Sequence, residues 1–395
     1  MRNKRNATVA AIIATVLLGG MLALIVADIG RPEGRPLNTL HSMGEQNDKI
    51  MALNVPVFAI AGLVFLGVMV GLVWMVVRFR RSPEDVEGVD EPEQVHGKTA
   101  LEIGWTIVPA VILAVLAVFN VQTILALDDA EDPLTVTVVG QQWWWEYEYD
   151  LDGQGDPEII TATQAVIPVG RDVRFRIQSN DVIHSFWIPN LNGKKDAVPG
   201  RTHDLVLTAK EPGIYEGQCT EFCGLSHGVM RMQVKALPQD EYDRWIERMT
   251  TPPEQPTTEL AKAGQELFVG QCARCHEVNG LTPESTPPFS YAERPTPDYG
   301  DQVQTSLSAR NAPNLTHFMM RQTFAGSLLD LYEGEASDAV VAVPDGTPNT
   351  NNIKRWLRNP EDIKPMNPDN NQGMPNLQLS EEQIDQLTAY LVTLK

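Results

Sequence analysis

"QCTEFCGLSHGVM", residues 218–230, sets two cysteines, a histidine and a methionine in one short stretch, and what that spacing serves decides the fold around it. Three chemistries compete. Cys219 and Cys223 would pair as a disulfide in an oxidising compartment. A structural zinc site wants four Cys/His ligands in paired clusters, whereas the spacing here is C-x3-C-x3-H-x2-M. Thioether and thiolate together select copper. One cysteine suffices for a mononuclear copper site, so the second points to two metals bridged by both thiolates. The methionine favours copper, with the disulfide as the rival reading.

Working outward, the chain on the N-terminal side alternates apolar and polar residues. "LTVTVV" from residue 134 and "DVRFRIQ" place Val173, Phe175 and Ile177 on one face and Arg174 and Arg176 on the other. Gly and Pro punctuate at short intervals, in "IPVG", "PNLNG", "VPG" and "EPG", which predicts an all-β sandwich or barrel. Its span, 129–249, suits one cupredoxin-like domain. His184 follows a strand in "NDVIHSFWIP" and supplies the nitrogen ligand such a site takes from an early strand end, whereas His203 reads as a surface residue. In "QQWWWEYEYD" three tryptophans run in succession, and all three cannot face inward on a strand. At least one is then exposed or at an interface, where an indole serves partner docking.

On the C-terminal side, "TTPPEQPTT" at 250–258 reads as a stiff linker. It opens a further domain, 259–395, whose "CARCH" is the attachment signature of a c-type haem: thiols of Cys272 and Cys275 for the vinyl groups, His276 for the iron. These four cysteines are all the chain has, which leaves none for a disulfide framework. The sixth iron ligand is expected from a downstream methionine, Met374 in "NNQGMPNL", with Met366 as competitor; Met319 and Met320 read as core. The carbonyl of Pro313 in "APNL" is placed to accept the second ring proton of His276 and fix its orientation, while His317 reads as structural. A terminal helix with Leu387, Tyr390 and Leu391 on one face closes the domain.

The N-terminal third is apolar. Residues 7–27 follow the basic "MRNKRN", so 1–28 is a signal peptide or a first transmembrane helix. The runs 51–77 and 103–127 are each long enough to span, giving a hairpin over 50–128. Arg78, Arg80 and Arg81 put the intervening loop in the cytoplasm and everything beyond about residue 128 outside. Glu102, at the start of the last run, is either an interfacial glutamate or part of a proton path. The formal charge of −20 sits in the later segments, with 21 acidic against 11 basic side chains over 128–250 and 19 against 10 over 251–395. Nucleic acid is thereby excluded as a partner, since phosphate contacts need a basic face.

"EIGWTIVPA" (102–110), "GQQWWWEYEYD" (140–150), "DVIHSF" with "KKDAVPGR" (181–201) and "YEGQCTEFCGLSHGVM" (215–230) together give a resemblance to a family. The chain resembles subunit II of haem-copper cytochrome c oxidases, in the caa-type form with a fused C-terminal cytochrome c domain. The resemblance covers residues 51–395. It implies a multidomain membrane protein: transmembrane helices, an all-β cupredoxin-like barrel and an all-α class I cytochrome c domain. It further implies a binuclear CuA centre held by His184, Cys219, Cys223, His227, Met230 and the carbonyl of Glu221, whose carboxylate would reach a magnesium ion at subunit I. Trp143 matches the electron-input tryptophan, and Glu102 the acid near the mouth of a proton channel in subunit I.

The implied role is electron input to a proton-pumping oxidase of a bacterial plasma membrane. Subunits I and III are partners, and the donor is a soluble cytochrome c or the quinol-cytochrome c reductase. Electrons would pass from haem c to CuA and on to haem a of subunit I, where oxygen is reduced. A quinol oxidase subunit lacks the copper ligands present here, and a nitrous oxide reductase needs a large copper domain beyond these segments. A membrane-anchored copper/haem carrier or copper chaperone is the alternative from another class. Three departures from the family stand out: a Pro-rich insert, "LTPESTPPFSYAERPTPDYGDQ", between His276 and Pro313, and a segment at about 325–352, both expected as surface excursions, and the N-terminal apolar run, which is extra to the common two-helix core.

Overall fold

The computed structural model describes residues 37–80, 97–155, 157–273, 275–278, 312–366 and 372–395, with a few isolated positions besides. The apolar run at 7–27 falls almost wholly outside them, as does the Pro-rich insert after His276. The chain divides into two compact units, residues 1–41 with 48–127 and residues 42–47 with 128–395.

The first unit is built on helices α1 (Glu45–Phe79) and α2 (Thr99–Ala126). At 28 residues α2 is about 42 Å long, enough to cross a hydrocarbon layer of ~30 Å. Phe58, Leu63, Val64 and Trp74 on α1 and Trp105, Leu113 and Phe119 on α2 are all more than half exposed, the outward apolar surface that lipid requires. Pro56 and Pro109 lie inside the two helices without ending them. Lys49 Nζ donates to the carbonyl of Ala126 at 2.8 Å, tying the start of one helix to the end of the other.

In the second unit ten strands form a barrel: β1 (Leu134–Gln141), β2 (Trp144–Tyr149), β3 (Ile159–Ala162), β4 (Gln164–Pro168), β5 (Val173–Ser179), β6 (His184–Trp187), β7 (Lys194–Ala197), β8 (His203–Leu207), β9 (Gly213–Gln218) and β10 (Arg231–Leu237). They make sheets of order β3-β2-β1-β5-β8 and β4-β10-β9 plus the β6-β7 hairpin, with β1/β5 and β4/β10 parallel. The predicted alternation holds on β5, where Val173, Phe175 and Ile177 are sealed and the arginines between them are not. Those side chains meet Val136, Val138, Tyr147, Phe186, Met232 and Val234 in one core. Helix α3 (Gln239–Met249) lays Tyr242, Trp245 and Met249 on it, with the Tyr149 and Trp245 rings 5.1 Å apart.

Further helices follow the barrel. Helices α4 (Glu259–Gln271), α5 (Thr350–Arg358) and α6 (Glu381–Leu391) start at side-chain caps, Thr258, Asn349 and the Ser380–Gln383 capping box. Leu387, Tyr390 and Leu391 are buried as their spacing predicts. At the α4/α6 crossing Gly264 is required by space, because a Cβ there would lie 2.0 Å from the Gln386 carbonyl oxygen. Met319 and Met320 are buried in a short 3-10 turn.

Two expectations are corrected. Segment 325–352 is not a surface excursion: Leu331, Tyr332 and Ala342 are buried, and it carries half of the β11/β12 hairpin (Thr323–Phe324, Leu329–Asp330). No local sequence pattern announces what this segment packs on. None of Trp143, Trp144 and Trp145 is exposed either, at 3%, 7% and 0%. Trp145 fills the barrel core, while Trp143 and Trp144 line a cavity closed by the helical domain, so the interface expected of an indole lies within the chain.

Candidate functional site

The copper-ligand candidates converge from two places. His184 is carried at the start of β6, and the remainder come from the loop between β9 and β10. That loop doubles back because Gly224, at φ +111°, takes a conformation other residues avoid. Cys219 Sγ and Cys223 Sγ lie 3.9 Å apart as free thiols. His184 Nδ1 is 4.0 Å from Cys219 Sγ and the Glu221 carbonyl oxygen 3.3 Å. On the other side His227 Nδ1 is 3.5 Å and Met230 Sδ 3.7 Å from Cys223 Sγ. Two sulfurs at the centre, each flanked by an imidazole and a weaker donor, form a donor set that fits soft metal ions.

The electrostatics suit that role. The hydrogen bond between the two thiols holds Cys219 below its ordinary value and, together with burial, pushes Cys223 above it, so Cys219 is the readier thiolate and metal would displace the proton between them. Desolvation draws His184 downward, yet the hydrogen bonds to Asp181 and Cys219 outweigh it and leave it above its ordinary value. Asp181 Oδ1 sits 2.7 Å from His184 Nε2, fixing the ring so that Nδ1 faces the sulfurs. Asp181 went unnoticed in the sequence, although its place three residues before a candidate ligand was the available signal. Glu221 is exposed, and Glu102 is exposed in the first turn of α2.

A second site is a cavity of about 390 Å³ lined by Cys272, Cys275, His276, Met366, Met374 and apolar residues including Phe268, Ile353 and Leu387. His276 Nδ1 donates to the Pro313 carbonyl at 2.8 Å, which leaves Nε2 as the ring nitrogen that could ligate a metal. Burial holds His276 below its ordinary value, in the neutral form a metal takes. Met374 Sδ accepts from Trp356 Nε1 at 3.0 Å, so this methionine is placed by a partner the sequence did not suggest. An apolar slot with paired thiols, an oriented imidazole and a thioether fits a covalently held haem.

Trp143 joins the two. Its Nε1 donates to the Cys223 carbonyl at 2.9 Å while its ring lines the cavity of Cys272, His276 and Met374. Gln142 Nε2 donates to the same carbonyl at 2.6 Å, and Lys364 donates to the carbonyl of Trp143. His203 Nδ1 meets the Asp196 carbonyl, and buried His317, held down to about 4 by desolvation, lies outside both donor sets.

Fold and sites together define a membrane-anchored cupredoxin-like protein fused to a cytochrome c domain. Family models agree: residues 37–123 match the transmembrane domain and 152–237 the periplasmic domain of cytochrome c oxidase subunit II, and 261–395 match cytochrome c. Cytochrome c oxidase subunit 2 of Alkalihalophilus pseudofirmus is 35% identical over 355 residues, 87% of this chain and 86% of that one. That of Bacillus sp. strain PS3 is 34% identical, covering 96% of each. The crystal structure of the periplasmic domain of subunit II of cytochrome oxidase from Bradyrhizobium japonicum is 28% identical with a TM-score of 0.29, covering 31% of this chain and 96% of that chain. The chain belongs to the cytochrome c oxidase subunit II family. Membership implies copper, and the cytochrome c domain implies haem c.

Proposed function

We propose that the chain is the electron-input subunit of a proton-pumping cytochrome c oxidase, taking electrons at haem c and delivering them through binuclear CuA to haem a of subunit I. The observation that carries this is Trp143, whose single side chain touches both a copper-ligand candidate and the haem cavity. Once bound, the copper pair and the haem supply one-electron chemistry, which is all the reading asks of them. His184, Cys219, Cys223, His227, Met230 and the carbonyl of Glu221 would hold the copper pair; Cys272, Cys275, His276 and Met374 would hold the haem.

The chain's own residues do the rest. Asp181 and Pro313 orient the two imidazoles, and the burial of Cys219 and Cys223 excludes water, which keeps reorganisation small. Beside the copper loop Val182, Ile183, Phe222 and Leu225 are exposed at 38%, 45%, 77% and 61%. An apolar collar of this kind calls for a protein partner, and we assign it to subunit I, where the Glu221 carboxylate would meet magnesium. Glu102 would serve a proton path, subunit III completes the complex, and both redox domains face the outer side of a bacterial plasma membrane. A reduced soluble cytochrome c or the quinol-cytochrome c reductase would be the donor, and oxygen chemistry stays in subunit I.

The test is purification of the full chain from membranes followed by rapid mixing with reduced cytochrome c. Co-purification with a haem a subunit, and reduction of haem c ahead of copper, is expected. A chain recovered without any haem a partner, or copper reduced ahead of haem c, refutes the reading.

A further inference from the structure

The outer face of the sheet β4-β10-β9 has no reason within the barrel to be dry. Met232, Val234 and Ala236 point into the core, so alternation turns Gln233 and Lys235 outward. Yet Gln233 is 5% and Lys235 0% exposed. Gln233 stands level with Gln164 on one side and Glu216 on the other, and the three side chains form a ladder. Gln164 Nε2 donates to Gln233 Oε1, and Gln233 Nε2 to Glu216 Oε1, each at 2.7 Å.

What covers this face comes from the cytochrome domain. Thr323 Oγ1 donates to Gln233 Oε1 at 3.1 Å, extending the ladder across the seam. Lys235 Nζ donates to the Val341 carbonyl at 3.2 Å, and the Ala342 amide donates to Glu241 Oε2 at 2.9 Å. Ala342, 2% exposed, belongs to the barrel's apolar cluster, and Val340 packs against it. The seam continues through Arg321 Nε to Thr161 Oγ1 at 3.1 Å, Ser226 Oγ to the Pro365 carbonyl at 2.5 Å, and Lys364 to Trp143. A lysine and two glutamines sealed from water are tolerated where fixed partners meet their polar atoms, as they do here at Lys235 Nζ, both polar atoms of Gln233 and Gln164 Nε2, with Gln164 Oε1 the exception. A domain that swung free in each cycle would hydrate all of them in turn.

We propose that residues 338–343 are a built-in docking strap that holds the cytochrome domain fixed on the copper domain and closes Trp143 to proteins outside the chain. The strap stands on these contacts alone. Its consequence, that an outside donor delivers at the cytochrome domain and never at Trp143, rests on the electron-input reading.

Hydroxyl-radical footprinting of the full chain, loaded with haem and copper, tests the strap. Oxidation of Trp143 in the native chain is expected to be at least about tenfold slower than in Ala342→Asp, with Trp145 in the barrel core equally protected in both. Native Trp143 oxidised as fast as in the variant overturns the strap. If Ala342→Asp also exposes Trp145, the barrel itself has opened, and Val340→Ser, at a half-buried position, is read by the same criterion. Independently, rapid exchange of the native Ala342 amide overturns the proposal whatever the variants do. Slow exchange and a protected Trp143, in a chain whose copper no reduced donor reaches, would instead sink the electron-input reading and leave the strap standing.

Discussion

Replacing Lys235 with methionine should remove a pH dependence from the seam between the two redox domains. Complete burial drives Lys235 from an ordinary 10.5 down to about 7, with Glu241 pulling partly back. The docked state therefore binds fewer protons than the opened one between those two values. Stability of the seam rises with pH across that window and is lost as pH falls toward 7. A gap of about 3.5 units at 1.36 kcal/mol each is worth roughly 5 kcal/mol at most. Lys364, also held down to about 7 by burial, adds a dependence of the same sign. Methionine keeps the length and apolar stem of Lys235 but carries no proton, so only its own contribution disappears. Hydrogen exchange of the Ala342 amide, corrected for intrinsic rates, reads the opening. Native protection should climb with pH between about 7.5 and 9.5, and Lys235→Met should climb less steeply by about tenfold per pH unit. Equal slopes in the two chains, or greater native protection at the acid end, would mean that Lys235 does not titrate in the seam.

Asp181→Asn keeps the shape beside His184 but removes the carboxylate that fixes its ring, and copper affinity by titration should fall about 10- to 100-fold. Met374→Ala should abolish the thioether-to-iron charge-transfer band of the oxidised haem while Met366→Ala keeps it; the opposite result would make Met366 the ligand. Gly264→Ala forces a methyl onto the Gln386 carbonyl and should cost about 1–3 kcal/mol or more, read as a lowered Tm of the haem band with the copper domain unaffected.

The parts of this molecule visible in its sequence are those encoded by local pattern. Alternation on Val173–Ser179 and the helical spacing of Leu387, Tyr390 and Leu391 depend on neighbours a few residues away, and they match the structure. "CARCH" and the crowded sulfurs of 218–230 are equally local, because two thiols and one imidazole of each site fall within one short stretch. What stayed hidden depends on a surface supplied from far along the chain. Lys235 on an outward strand position reads as solvated, and only the Val341 carbonyl more than a hundred residues later makes it buried. Likewise the three tryptophans obey the rule that not all can face the barrel, but the second place for them is provided by the cytochrome domain. Asp181 and Trp356 act through another side chain, a relation that no spacing rule announces.

A pair of coppers sharing one electron over Cys219 and Cys223 would show itself in the electron paramagnetic resonance spectrum of the copper-loaded full chain. An unpaired electron spread equally over two copper nuclei gives seven hyperfine lines, and these should vanish in Cys219→Ser. A four-line or silent spectrum from folded, copper-exposed protein would mean a mononuclear site or a disulfide, and would contradict the account.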